Sequence, residues 1–312
     1  MSPVTDAIPL LLHNLVLIFG VMIVLWGVAV AIKDVSFIDA VWPMGMVLLA
    51  ATTFWLSGAA SPVAVMLLAL TAIWGLRLGL HLFVRWRRNG VDPRYAKIIA
   101  SAKDKKGWSF AKTALLQVFL LQGPLLFMVC LPAQVGIWRG GELGPLALLG
   151  CLIALVGIAF ETIGDAQLET FRANPANKGK VLNTGLWRYT RHPNYFGDAC
   201  TWWGIWLVAA STGWDVALAS LIGPLFLNFT LVKWSGAAML ERGLKKTRPD
   251  YADYIARTSS FFPMPPRGAV RASRPAQARG SGRSSRIHRR AVWSWIGAAC
   301  NFASRQTLSH KA

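Results

Sequence analysis

Residues 10–32 read LLLHNLVLIFGVMIVLWGVAVAI, twenty-three positions without a formal charge. A helix rises about 1.5 Å per residue, so this stretch covers the roughly 30 Å of a bilayer's hydrocarbon. Only helices and closed barrels satisfy their own backbone hydrogen bonds in lipid. Six further apolar stretches follow, at about residues 37–56, 62–84, 113–138, 145–163, 195–210 and 216–234, the 195–210 stretch being the shortest. The pattern predicts an all-α fold, a polytopic membrane bundle of about seven transmembrane helices. Composition agrees: of 312 residues 54% are hydrophobic and 15% charged, whereas an ordinary soluble domain carries about 25% charged residues. A disordered chain, a disulfide scaffold and a typical cytosolic enzyme are thereby excluded. No basic residue precedes the first stretch, which therefore reads as a retained span and not as a cleaved signal.

The net charge of +19 divides unevenly. Residues 267–312 carry nine Arg and one Lys with no Asp or Glu, and the remainder keeps 23 basic against 14 acidic residues. This divides the chain into a membrane domain at 1–265 and a basic tail at 266–312, whose Arg, Ser, Gly and Ala cannot bury a core and predict disorder. Nothing aromatic or folded accompanies the tail's arginines in the pattern of a nucleic-acid reader, so no nucleic-acid partner is expected. In the loops, nine Lys or Arg fall between Arg85 and Lys112, and Arg172, Lys178, Lys180, Arg188 and Arg191 follow the fifth stretch, while the intervening loops are nearly uncharged. Basic loops are held on the cytoplasmic side. The expected orientation is N-terminus outside and C-terminus inside, with the lipid bilayer as the first partner. Cys130, Cys151, Cys200 and Cys300 are scattered singly and read as packing residues, with no metal site.

Charged groups inside a bilayer are costly, about 2.5–3.5 kcal/mol even on insertion scales. Asp39, Arg77, His81, Glu161, Asp165 and Asp198 nevertheless sit near the expected cytoplasmic ends of their stretches. Their shared depth predicts a polar cavity facing the cytoplasm. The densest cluster is GLWRYTRHPNYFGDACTWWG, residues 185–204, which places Arg188, Arg191, His192, Asn194, Tyr195 and Asp198 at a helix mouth. Pro193 blocks an earlier start and Asn194 is expected at the N-cap. A helix N-terminus with arginines beside it favours a phosphate, although the same residues also suit an interfacial anchor. Upstream, FETIGDAQLETFR at 160–172 puts Glu161, Asp165 and Arg172 on one helical face, able to hold a ligand or to form an internal salt-bridge ladder. Downstream, MLERGLKKTRPDYADYIARTSSFFPMPP at 239–266 reads as an amphipathic stretch, with Tyr251 and Tyr254, turned back to the membrane by Phe261, Phe262 and the prolines. No GxGxxG, Walker, HExxH or nucleophile-elbow motif occurs.

These residues resemble the C-terminal domain of the steroid 5-alpha-reductase family and, more closely, bacterial membrane proteins grouped with it. RYTRHPNYFGD at 188–198 carries most of the likeness, with Asp165, Arg172, the 241–266 stretch, SFIDAVW at 36–42 and DPRY at 92–95. The resemblance covers roughly residues 10–265. It implies a bundle whose cytoplasmic half grips NADPH, with Asp165, Arg172, Asn194 and Asp198 at positions that contact the cofactor in relatives. Arg188, Arg191, His192, Tyr195 and Tyr254 complete the candidate cofactor set. Asp198 stands where many members have Glu, and Glu161 where the reductases tend to have Asn. The family's catalytic Glu and Tyr have no clear motif here, and Asp39 and Tyr95 are the nearest candidates. The implied activity is hydride transfer from NADPH to a conjugated double bond in an apolar, lipid- or steroid-like substrate, in a bacterial inner membrane.

Isoprenylcysteine carboxyl methyltransferases and related phospholipid methyltransferases share an RHPxYxG segment, which there cradles S-adenosylmethionine. That alternative replaces the dinucleotide with a cofactor that carries no phosphate. A third reading, a non-enzymatic protein binding anionic lipid, predicts that Asn194 and Asp198 are dispensable.

Overall fold

A computed structural model describes residues 4–58, 60–234 and 237–268. Among them every regular element is helical. α1 (Ile8–Ile32), α2 (Ile38–Ser57), α3 (Pro62–Asn89), α5 (Phe110–Val129), α7 (Pro145–Ala173) and α9 (Trp214–Lys233) are long and apolar enough to cross a membrane. Between them lie α4 (Pro93–Lys106), α6 (Leu131–Arg139) and α8 (Pro193–Ala210), and α10 (Ala237–Thr247) and α11 (Tyr251–Arg257) follow α9. Local chemistry sets the boundaries. Ser61 caps α3 by accepting from the Ala64 N–H, with Pro62 behind it, and Asp92 caps α4 by accepting from the Arg94 N–H, with Pro93 in its first turn. Gly58 and Gly107, with φ of 62° at each, end α2 and α4 in the left-handed conformation that glycine adopts without strain.

Two expectations are corrected and one is refined. The apolar stretch 113–138 is two helices: α5 ends at Val129, Cys130 caps it, and α6 starts again with Pro132 in its first turn. Pro132 has no N–H to continue the α5 ladder, and Pro132–Ile137 are buried without a break, so α6 serves as an internal prop and not as the lower half of a span. Second, six of the described helices are long and apolar enough to cross, in keeping with the expected bundle of about seven. The expected span not among them is α8, eighteen residues long. It is packed among protein, with Gly197, Ala199, Thr201, Trp202, Gly204 and Ile205 buried, so it need not be apolar throughout. Third, the N-cap of α8 is His192 and Asn194 is its second residue, because Pro193, with φ preset and no N–H, takes the first helical position.

α7 and α8 form the tightest pair in the bundle. A Cβ on Gly197 would lie 2.5 Å from the Glu161 nitrogen and 2.6 Å from the Gly157 oxygen, and one on Gly157 would lie 2.5 Å from the Thr201 nitrogen. Gly150 and Gly204 repeat the approach further along. Small residues at such a seam let two backbones touch, the dispersion contact that drives helix association in lipid. The rest of the core runs from Ile18 and Met22 of α1 through Leu49 of α2 and Leu67 of α3 to Trp202 and Ile205 of α8. The basic tail beyond residue 268 lies outside the described residues.

Gly197→Val is expected to destabilise the protein by about 1–3 kcal/mol or more through overpacking. Gly27→Ala, where an added methyl meets nothing within 4 Å, is expected to be neutral or to raise stability by about 0.5–1 kcal/mol. Thermal melts of the two variants in detergent check both outcomes.

Candidate functional site

Polar side chains from α3, α7 and α8 converge at one end of the bundle. Trp74, Arg77, His81 and Arg85 recur along α3 at helical spacing. The Trp74 indole N–H donates to Glu161 Oε2 at 3.0 Å. The Arg77 guanidinium lies 2.5 Å from the same oxygen through Nη2 and donates from Nη1 to Asp165 Oδ2 at 2.9 Å. Glu161 is 3% exposed and Asp165 9%, so one cation joins two carboxylates out of water, where such attraction is strong. Asn194 adds α8 to the cluster, its amide donating to Asp165 Oδ1 at 3.2 Å. His81 Nε2 stands 3.9 Å from Asp165. Asp198, one turn beyond Asn194, presents a buried Oδ1 with no hydrogen-bond partner, in the field of Arg77 and Asp165.

A second cluster forms where α2, α3 and α4 meet. Asp39, in the first turn of α2, accepts from the Tyr95 hydroxyl at 2.6 Å and from Arg94 Nη2 at 2.6 Å. Arg94 also grips Asp92 at 2.9 Å, and Gln122 of α5 donates to the Tyr95 oxygen at 3.3 Å. Burial first, and then the charge and hydrogen bond of Asp39, push the Tyr95 phenol well above its usual range. It is therefore held as a proton donor. Beside this pair lies a cavity of about 300 Å³ whose lining includes Ser36, Asp39, Leu82, Arg85, Trp86 and Asp92.

Arg85 adds a charge beside the second cluster. Its Nη2 is 3.8 Å from Asp39, and its charge acts on both Arg172 and Tyr195. Arg172, exposed at the end of α7, also feels Arg248. Neither Arg172 nor Arg248 pairs with a carboxylate among the described residues; Arg248 donates to the Lys180 carbonyl. Arg172 thus lies in the field of two other guanidinium groups as well as that of Asp165.

Three of the sequence candidates are engaged otherwise. Arg191 donates from Nε to Glu241 Oε1 at 2.8 Å and from Nη1 to the Thr258 carbonyl at 2.6 Å. His192, 1% exposed, contacts Glu241 Oε1 at 3.0 Å and stacks on Tyr195. The Tyr254 hydroxyl donates to the Trp187 carbonyl at 2.5 Å. With the backbone bonds from Arg191 N to Ser259 O and from Met264 N to Tyr189 O, these contacts clasp the α10–α11 region onto the loop before α8. Phe261 and Phe262 close the clasp against Phe196. Arg188 is exposed. Gln122 and Arg85 are not among the sequence candidates, while Arg248 and Arg77 figure there only within the amphipathic stretch and the polar cavity. A polar Gln within the apolar α5 and an Arg within α3 were the signals available.

Residues 25–258 match the model of a family described as a protein of unknown function, DUF1295. The chain belongs to the DUF1295 family. Among curated proteins it is 36% identical over 91 residues to the probable O-methyltransferase ustE of Ustilaginoidea virens, covering 28% of this chain and 31% of that protein. It is 34% identical over 86 residues to the delta(14)-sterol reductase TM7SF2 of Mus musculus, covering 23% of this chain and 21% of that protein. A Schizosaccharomyces pombe protein, the uncharacterized protein C594.04c, is 23% identical over 274 residues, 77% of this chain and 76% of its own length. The chain thus spans about a third or less of the methyltransferase and reductase relatives. No solved structure matches.

Two outcomes follow from the geometry. Arg77→Leu strands Glu161 and Asp165 without their cation and is expected to cost about 3–5 kcal/mol, read as loss of folded protein in detergent. In the clasp, burial alone would raise the Glu241 carboxyl, but hydrogen bonds from His192 and Arg191 hold it down, from 4.5 to about 2. A depressed carboxylate stabilises the fold above its unfolded value and loses that contribution as the pH falls through the folded one. Glu241→Gln is therefore expected to cost about 2–3 kcal/mol at pH 7, and the difference from wild type should shrink between pH 4.5 and 2. Chemical denaturation across that window checks it.

Proposed function

We propose that this DUF1295 protein is a membrane-embedded, NADPH-dependent reductase of a conjugated double bond in an apolar, lipid- or steroid-like substrate. The observation that carries the reading is the pairing of a protonated phenol with a carboxylate, Tyr95 on Asp39, beside Arg85, whose charge together with that of Arg248 acts on Arg172, a guanidinium without a carboxylate partner among the described residues. The residues present fit a phosphorylated dinucleotide. Arg172, Arg248 and exposed Arg188 would hold its phosphates, which arginine grips with paired N–H groups. Asn194 and Asp165, already bonded to each other, and the unpartnered Asp198 oxygen would take its hydroxyl and amide groups. When bound, the reduced nicotinamide supplies a hydride.

The chain's own residues do the rest. Tyr95, whose one hydroxyl proton goes to Asp39 in the free protein while Gln122 donates to its oxygen, would turn that proton to the substrate oxygen on which negative charge develops, leaving Asp39 to Arg94 and Arg85. Arg77 keeps Glu161 and Asp165 in place, and the clasp built from Arg191, His192, Glu241 and Tyr254 secures the mouth of α8. The surrounding bundle excludes water, which strengthens each of these interactions. The matches to two sterol reductases, of Mus musculus and of Ascobolus immersus, support the reading.

A second reading, methyl transfer from S-adenosylmethionine, is favoured by the match to the probable O-methyltransferase. The two differ in the need for phosphate contacts. In purified protein, NADPH is expected to raise the melting temperature by several degrees and S-adenosylmethionine to leave it unchanged. Arg172→Ala and Asn194→Ala should abolish the NADPH shift. Tyr95→Phe should keep that shift yet slow NADPH oxidation by an apolar enone about 100-fold or more. A shift with S-adenosylmethionine alone would transfer the assignment to the methyltransferase reading.

A further inference from the structure

The loop between α4 and α5 draws two ammonium groups onto one indole. Lys106 Nζ lies 4.5 Å from the Trp108 ring centroid and Lys112 Nζ lies 4.9 Å from it. Both lysines are exposed, and neither pairs with a carboxylate among the described residues. Two like charges brought to one ring repel each other. Each is attracted to the aromatic face, and an anion bridging them would offset the repulsion.

The surroundings say which anion. Trp26 of α1 donates its indole N–H to the Ala111 carbonyl at 2.9 Å, so two tryptophans sit at the level where α5 starts. Indoles favour the boundary between hydrocarbon and headgroups. Below Lys112, on the same helix, come the exposed aliphatic residues Leu116 and Leu121. The spacing of four and then five keeps them in line, because α5 makes a π turn over Leu115–Phe119 with its longer i to i+5 repeat. A cationic pair therefore stands directly above an aliphatic strip that faces outward, a shape complementary to a phosphate with an acyl chain hanging beneath it.

We propose that Lys106, Trp108 and Lys112 form a binding site for the phosphate headgroup of an anionic phospholipid, whose acyl chain lies along Leu116 and Leu121. The site is separate from the Tyr95–Asp39 pair and does not rest on the cofactor assignment. It ties the α4–α5 loop to the membrane surface.

Native mass spectrometry of the delipidated full chain in detergent tests it, with phosphatidylglycerol, phosphatidylcholine or inorganic phosphate added. Wild type is expected to retain phosphatidylglycerol about tenfold better than phosphatidylcholine, in keeping with two basic contacts near the surface. The double variant Lys106→Gln, Lys112→Gln should lose that preference, whereas Lys97→Gln, Lys103→Gln, two exposed lysines of α4, should keep it. Millimolar inorganic phosphate should not displace the lipid. Retention by the first variant equal to wild type, an equal loss in the second, or displacement by phosphate alone would each overturn the proposal.

Discussion

The Arg77 guanidinium, held between Glu161 and Asp165, is the interaction around which the polar end of the bundle is arranged. A charge inside a membrane helix must find its partner within the protein, since lipid offers none. That demand ties α3 to α7. Through Asp165 and Asn194 it ties both to α8, and Trp74 adds an indole donor that leaves the Glu161 carboxylate little freedom. Ion pairs of this kind add little net stability compared with apolar packing. What this one supplies is register: a rotation of α3 or α7 would leave buried charge uncompensated, so the alternatives to the observed packing are penalised.

Register along α7 and α8 has a second source, the glycine seam. Gly150 and Gly157 on one helix meet Gly204 and Gly197 on the other at distances that admit no side chain. The close approach brings the first turn of α8 beside Asp165 and sets Asn194 within hydrogen-bond reach of it. The seam and the ion pair depend on each other. Without backbone contact Asn194 would fall short of Asp165, and without the charges little would oppose sliding along a stripe of small residues.

The spans were legible in the sequence because their cause is local: hydrocarbon thickness sets a length, and a run such as residues 10–32 meets it unaided. The break at Cys130 was not, because Pro132 within an apolar run is equally compatible with a kinked span, and only burial of α6 on all sides separates the two cases. For α8 the apolar residues were visible in the sequence while the protein packed around them was not. At the site, the residues within RYTRHPNYFGD were recognisable as a group, yet their division of labour was hidden. Arg191 and Arg172 look alike in sequence, and their difference comes from Glu241 and Thr258, far along the chain. Arg77 and Asp165 are 88 positions apart, so nothing in either segment announces the pairing.

The direction of the proposed chemistry rests on Tyr95. A reaction that makes an oxygen nucleophilic, as methyl transfer to an acid or alcohol does, needs a group that removes a proton or carries negative charge beside the acceptor. In the proposed reaction Tyr95 has the opposite task. Burial and the Asp39 carboxylate keep its hydroxyl protonated, and Arg94 and Arg85 hold that carboxylate at its other oxygen. Turned from Asp39 to a substrate, such a donor would stabilise charge that builds on a carbonyl oxygen as hydride arrives at carbon. The charge of Arg85, which steadies Asp39, also acts on Arg172. An anionic cofactor would be favoured by such guanidinium groups, whereas a cationic methyl donor would be opposed by them.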